Sequence, residues 1–120
     1  HYQGKYEPAL SAVYSLLAEY SSCRVILSHW GGGMIFYELM PEVREALVNV
    51  WYDTAASPFI YGSAVYRAAL GMVNPGKILF GSDYPLLGIK RYSSVIEAEA
   101  GESASLILGL NAKNFLGIKD

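Results

Sequence analysis

The chain is short of the features that mark a membrane, nucleic-acid-binding or disulfide-bonded protein. Its 120 residues include a single cysteine, Cys23, so no internal disulfide can form. Standing just before an apolar run, Cys23 reads as a small buried thiol rather than a redox or nucleophilic centre. Charged residues make up 17% and the formal net charge is -2, which leaves no basic field to draw in nucleic acid or an anionic bilayer. No uninterrupted apolar stretch approaches the roughly 18 residues of a membrane span, and the first residues carry neither a basic region nor a hydrophobic signal core. A cytoplasmic location, with no nucleic acid and no membrane as partner, is expected. There is also no fixed-period repeat, no low-complexity tract and no linker that would divide the chain, so residues 1–120 read as one unit.

Length sets a further limit. A chain of this size can bury a core of its own, yet a complete eightfold (β/α) barrel takes about 250 residues. The first residue is His1 rather than Met, which predicts a processed, truncated or engineered piece of something longer.

Apolar periodicity supplies the elements. Leu10, Val13 and Leu17, with Leu16 and Tyr20, predict an amphipathic helix over 9–20, and Pro8 suits its first turn. Ser21-Ser22-Cys23 breaks that helix, and Val25 to Ser28 reads as a buried strand. Gly31-Gly32-Gly33 lets the backbone turn tightly. A helix is expected from about Ile35 to Leu47, kinked or divided by Pro41. Val48 to Tyr52 is a second strand, ending in the small-residue loop Asp53 to Pro58, and Ser63 to Met72 is a third helix. Asn74-Pro75-Gly76 is a turn signal before a last strand, Lys77 to Phe80. Residues 92–116 read as helix, broken near Gly101 and stopped by Gly117. The order α-β-α-β-α-β-α with short connections implies an α/β fold whose parallel strands are joined by right-handed helical crossovers. Three such strands alone leave edges unpaired and one face wet, which points to a missing half.

Two strand ends stand out: Val25-Ile26-Leu27-Ser28-His29-Trp30-Gly31-Gly32-Gly33 and Ile78-Leu79-Phe80-Gly81-Ser82-Asp83-Tyr84-Pro85. Each apolar run stops at an ionisable residue and turns. In a parallel sheet the residues just past the carboxyl ends collect at one rim, where ligands bind, so His29 and Asp83 are expected to face a shared site. The aromatic neighbours Trp30 and Tyr84 are the candidate substrate-binding residues.

His-Trp-Gly-Gly-Gly after one strand, Tyr-Asp-Thr-Ala-Ala-Ser after the next, Gly-Ser-Asp-Tyr-Pro after the third and the closing Asn111-Ala112-Lys113-Asn114-Phe115-Leu116-Gly117 together resemble the C-terminal half of an amidohydrolase-related barrel. The branch is the amidohydrolase 2 type that includes aminocarboxymuconate semialdehyde decarboxylase. The resemblance covers essentially the whole chain and implies a partial (β/α)8 barrel, strands six to eight with flanking helices. It implies a metal-dependent hydrolase or decarboxylase of a small carboxylated, lactone or amide substrate, homo-oligomeric, using a divalent metal, zinc in the first instance. By the same resemblance Asp83 ligates the metal or takes the proton of its water, and His29 orients that water or polarises the substrate. A bound divalent ion brings the pKa of its water to about 7, a carboxylate can take the released proton, and an imidazole can stabilise the resulting oxyanion.

Departures from the family pattern matter equally. Members carry a His-x-His pair after the first strand and usually another His after the fifth, whereas this chain has two histidines, His1 and His29. His1, in His1-Tyr2-Gln3-Gly4-Lys5, resembles the loop after the fifth strand more than a ligand position. The chain alone is therefore expected to lack a complete metal site and to be inactive by itself.

Plainer readings stand beside these. His29 could simply fasten the glycine turn, and Asp83 could cap a helix or hold its own turn. Asp53 is expected to bond loop amides. Tyr14, Tyr20, Tyr37 and Tyr66 read as partly buried packing residues, and Glu97, Glu99 and Glu102 as a solvated acidic face. No Lys-Ser or Lys-Thr follows the glycines, which excludes a P-loop, and a Gly-x-Gly-x-x-Gly turn is missing. The competing class is a non-catalytic α/β module that self-associates through its strand edges.

Overall fold

The computed structural model describes residues 9–119. Helix α1 (Leu10–Glu19) leads into strand β1 (Val25–Leu27). Helices α2 (Met34–Tyr37) and α3 (Pro41–Ala46) precede β2 (Val50–Asp53). Next come α4 (Ser57–Ile60), α5 (Val65–Leu70) and β3 (Ile78–Leu79), then α6 (Lys90–Ala100) and α7 (Asn111–Leu116). The strands form one parallel sheet in the order β1-β2-β3, with Val25 opposite Val50 and Tyr52 opposite Ile78. Strands and helices alternate as the hydrophobic pattern predicts.

The breaks follow local chemistry. Pro41 opens α3 at its first turn, where its missing N–H costs no helical bond, so the predicted helix is split in two. Asn74 accepts a bond from the Gly76 N–H at 2.8 Å and closes the expected turn. Gly101 (φ 53°) ends α6 and Gly117 (φ 68°) ends α7, both in conformations that suit glycine. Between α6 and α7 the chain passes through a π-helical turn at Leu106–Leu110. The loop expected over 53–58 instead winds into α4, because Ser57-Pro58 makes a good first helical turn.

Side chains alternate across the sheet. Val50, Tyr52 and Ile78 are buried on one face and join a core with Trp30, Met34, Leu47, Tyr66, Ile96 and Ile107. On the opposite face Ile26 is 43% exposed, while its register partner Trp51 is packed edge-on against Phe115 at 4.9 Å. The Arg24 guanidinium lies over both rings and bonds the Phe115 carbonyl, so α7 is clamped to the start of β1.

Beneath the core face lies a charged strap that the sequence pattern did not reveal. Lys77 Nζ donates to both carboxylate oxygens of buried Glu38, at 2.7 and 2.9 Å, and to the Leu47 carbonyl at 2.9 Å. The Tyr52 hydroxyl donates to Glu38 at 2.7 Å. Burial, followed by the bond to Glu38 and its charge, pushes the Tyr52 hydroxyl far above the ordinary phenol range. The strap ties α2 to both β2 and the start of β3.

Several single-residue expectations are corrected. Cys23 is exposed, since it sits in the turn before β1 rather than in the strand. Leu16 and Tyr20 are also exposed, because α1 presents only the stripe of Leu10, Val13, Tyr14 and Leu17 to the core. Tyr66 is fully buried rather than partly so. Glu99 leaves the solvated face to meet Arg67 at 3.2 Å and to accept from Ser63 at 3.0 Å. Among the described residues no helix is long and apolar enough to cross a membrane. His1 and Pro8 lie outside the described residues.

Candidate active site

Because the three strands run parallel, their carboxyl ends share one edge of the sheet. Adjacent strands lie about 4.8 Å apart, so the ends of β1 and β3 stand about 10 Å from each other with β2 between them. His29 lies two residues past β1 and Asp83 four past β3, and both are exposed. Both also carry a positive φ, 40° at His29 and 60° at Asp83. Histidine and aspartate are among the few residues with a Cβ that enter this region with any frequency, so both side chains are presented from left-handed turns.

The left-handed conformation at His29 belongs to a longer feature. His29, Trp30, Gly31, Gly32 and Gly33 have φ of 40°, 62°, 68°, 59° and 103°, a continuous left-handed turn. Glycine enters this region readily and other residues rarely do, which gives the glycine triplet its purpose. Gly31 has a second constraint: a Cβ there would stand 3.0 Å from Met34 Cβ and 3.1 Å from both Leu27 Cδ1 and Tyr52 Cε1.

Asp53 holds this turn in place. Its Oδ1 accepts the backbone N–H of His29 at 2.8 Å and of Ala55 at 3.0 Å, and its Oδ2 accepts the Ser28 hydroxyl at 3.0 Å. Both carboxylate oxygens are thereby engaged in bonding the loops, the role weighed for it in the sequence. Thr54 Oγ1 does the same between β2 and β3, donating to the Gly81 carbonyl and accepting the Gly81 N–H, each at 3.1 Å. The Tyr92 hydroxyl, from α6, donates to the Ser82 carbonyl at 3.1 Å. Three strand ends are thus cross-linked around the edge.

The other predicted residues part company. Tyr84 is 86% exposed beside Asp83. Trp30 is a correction: only 1% of it is exposed, its indole N–H donates to Ser57 Oγ at 2.8 Å, and its ring meets Tyr66 edge-on at 5.5 Å. The left-handed turn that swings His29 outward sends Trp30 into the core, where it supports the rim from behind.

A cavity of about 300 Å³ opens next to the edge, lined by Ser57, Tyr61, Tyr66, Arg91, Tyr92 and Val95 among others. None of the residues singled out as chemical in the sequence lines it. Tyr92 joins the cavity to the rim, and burial, then the Asp83 charge, push its hydroxyl above its ordinary pKa against the opposing effects of the Ala56 N–H and Arg91. Burial likewise raises Tyr66, partly offset by its bond with Ser57. No run or motif marks Tyr92 in the sequence, where it is one tyrosine among ten.

A divalent metal in a catalytic site usually takes three protein ligands. Among the described residues no three His, Cys, Asp or Glu side chains cluster closely enough to hold one. Asp83 is a single free carboxylate, and the oxygens of Asp53 are already committed. The described residues by themselves do not fit a metal centre.

Residues 7–118 match the family model described as amidohydrolase. The chain belongs to the amidohydrolase family. The chain is 31% identical to the 6-methylsalicylic acid decarboxylase of Penicillium expansum over an alignment covering 69% of the chain and 31% of that relative. Its fold superposes with a TM-score of 0.72 on the crystal structure of 5-carboxyvanillate decarboxylase from Sphingomonas paucimobilis, at 14% identity, covering 92% of the chain and 40% of that protein. The chain therefore spans about a third of the length of that curated relative.

Proposed function

We propose that this chain is the C-terminal portion, strands six to eight with their flanking helices, of an amidohydrolase (β/α) barrel. The complete barrel acts as a decarboxylase or hydrolase on a small carboxylated molecule, with His29 and Asp83 as its catalytic pair. Three parallel strand-helix units are three of the eight that such a barrel repeats. In it the sheet face bearing Ile26 and Trp51 looks inward, with α7 packed against Trp51 through Phe115, and the helices on the Val50, Tyr52 and Ile78 face belong to the outer ring.

The observation that carries the reading is the placement of His29 and Asp83. Each is exposed beyond the carboxyl end of its strand, on the same edge, and each is held at positive φ. The ligand-binding edge of a parallel sheet is where reactive groups collect. Both compared relatives are named as decarboxylases, and 6-methylsalicylic acid and 5-carboxyvanillate are both aromatic acids. That favours decarboxylation of a small aromatic carboxylic acid over opening of a lactone or amide.

Loss of carbon dioxide from such an acid requires a proton to reach the ring carbon and the negative charge to be met as the bond breaks. Asp83 in its protonated form can deliver that proton to the ring carbon, which keeps the electron pair of the broken bond as carbon dioxide leaves, and the His29 imidazole can hold and orient the substrate carboxylate beforehand. Tyr84 offers an exposed ring against which an aromatic substrate can lie. Metal dependence in the complete protein calls for ligands beyond Asp83, supplied by residues outside those described here.

The test is Asp83→Asn in the protein that carries this chain. Turnover of an aromatic acid should fall by about 10²–10⁴-fold with the melting temperature nearly unchanged, and near-normal turnover refutes the assignment. A second reading draws on the open edges of β1 and β3: a non-catalytic module that pairs through them. A compact dimer of the isolated chain, with no turnover in any longer form, would favour it.

A further inference from the structure

The segment that delivers Asp83 has few anchors. Gly81 is held by Thr54 through two bonds of 3.1 Å, and the Leu86 N–H closes the turn on the Asp83 carbonyl at 2.9 Å. Between these points the Ser82 carbonyl is met by the Tyr92 hydroxyl at 3.1 Å. That carbonyl belongs to the peptide unit whose other end is the Asp83 nitrogen. Holding it fixes the plane from which the Asp83 φ of 60° is measured.

The left-handed region is open to aspartate as the extended one is, so the bonds around residue 83 decide which conformation the chain keeps. Tyr92 is built as a rigid post for that purpose. It is 1% exposed, its ring stands edge-on to Phe80 at 5.3 Å, and Phe80 directly follows β3. The hydroxyl therefore moves with the strand end it supports.

We infer that Tyr92 is a positioning residue for Asp83, its hydroxyl holding the Ser82 carbonyl so that the carboxylate is offered in one orientation. This rests on the reading of Asp83 as the catalytic carboxylate. Tyr92 does not touch substrate in this role; it acts through the 82–83 peptide.

Tyr92→Phe removes one oxygen and leaves the ring against Phe80. In the protein that carries this chain, kcat should fall about tenfold while KM stays within about twofold, since an orientation is lost rather than a substrate contact. Amide exchange at Leu86 should quicken about tenfold, with β2 amides keeping their wild-type rates. An unchanged kcat overturns the inference, as does an unchanged Leu86 exchange rate. A Phe80→Leu variant that reproduced every effect of Tyr92→Phe would also overturn it, by assigning the effect to ring packing. If Asp83→Asn retained turnover, the catalytic reading would fall, and the Leu86 exchange in Tyr92→Phe would still decide whether Tyr92 holds the turn.

Discussion

Alanine at Gly32 and alanine at Gly31 perturb the same left-handed turn in different ways, and the difference between them isolates packing from backbone strain. At Gly32, φ is 59° and nothing lies within 4 Å of an added Cβ, so only the left-handed backbone is penalised. That penalty is about 1–2 kcal/mol, reduced by about 0.4–1 kcal/mol because alanine also restricts the unfolded chain. A net loss of about 1 kcal/mol is expected. At Gly31 the same terms apply at a φ of 68°, and the new methyl also meets Met34, Leu27 and Tyr52 at 3.0–3.1 Å. Met34 and Tyr52 are buried and cannot move aside freely, so overpacking adds about 1–3 kcal/mol. Gly31→Ala should therefore lose about 2–4 kcal/mol. Urea unfolding of both variants, compared at equal m-values, measures the gap directly, and the unfolded-state term cancels between them. Equal losses at the two positions, or a Gly32→Ala variant more stable than the parent, would refute this account of the turn.

Lys77→Met should cost about 3–5 kcal/mol, because it leaves the buried Glu38 carboxylate with one hydroxyl partner and without its ion-pair partner. Replacing Glu38 by Gln in the same chain should recover part of that loss, and a double-mutant cycle by chemical denaturation reads the coupling. Alkaline stability follows from Tyr52, Tyr66 and Tyr92, all pushed above their ordinary pKa by burial. The unfolded chain releases these protons near pH 10 while the folded one keeps them. Their stabilisation is therefore complete below about pH 10 and is lost as pH rises further, by up to about 1.4 kcal/mol per pH unit for each tyrosine. Melting temperatures from pH 8 to 11.5 should be flat and then fall, and Tyr66→Phe should make the fall shallower; an unchanged slope would show that Tyr66 ionises alike in both states.

Much of the architecture was legible because it is written locally. The runs Val25-Ile26-Leu27 and Ile78-Leu79 could be read as strands, and their ends at His29 and Asp83 as rim positions, because buried parallel strands are continuously apolar. Pro41, Gly101 and Gly117 break or end helices through their own backbone restrictions. Other features escaped notice because they depend on which surfaces meet. Trp30 stands next to His29 in the chain, and whether it faces solvent or core depends on the handedness of the turn between them. Alternation alone cannot supply that. Cys23 is exposed for a related reason, since a place just before an apolar strand does not say whether the turn there faces the core or the solvent.

Sequence alone determined the alternation of strand and helix, the breaks at Pro41, Gly101 and Gly117, and the residues left at the strand ends, since these follow from side-chain periodicity and backbone restriction within a few residues. The tertiary structure decided how those ends are bound together: Asp53 across to His29, Thr54 to Gly81, Lys77 to Glu38 and Tyr92 to Ser82. These bonds join groups 10 to 39 residues apart. A directional bond over such separations exists only once packing has set the distance and angle between its partners.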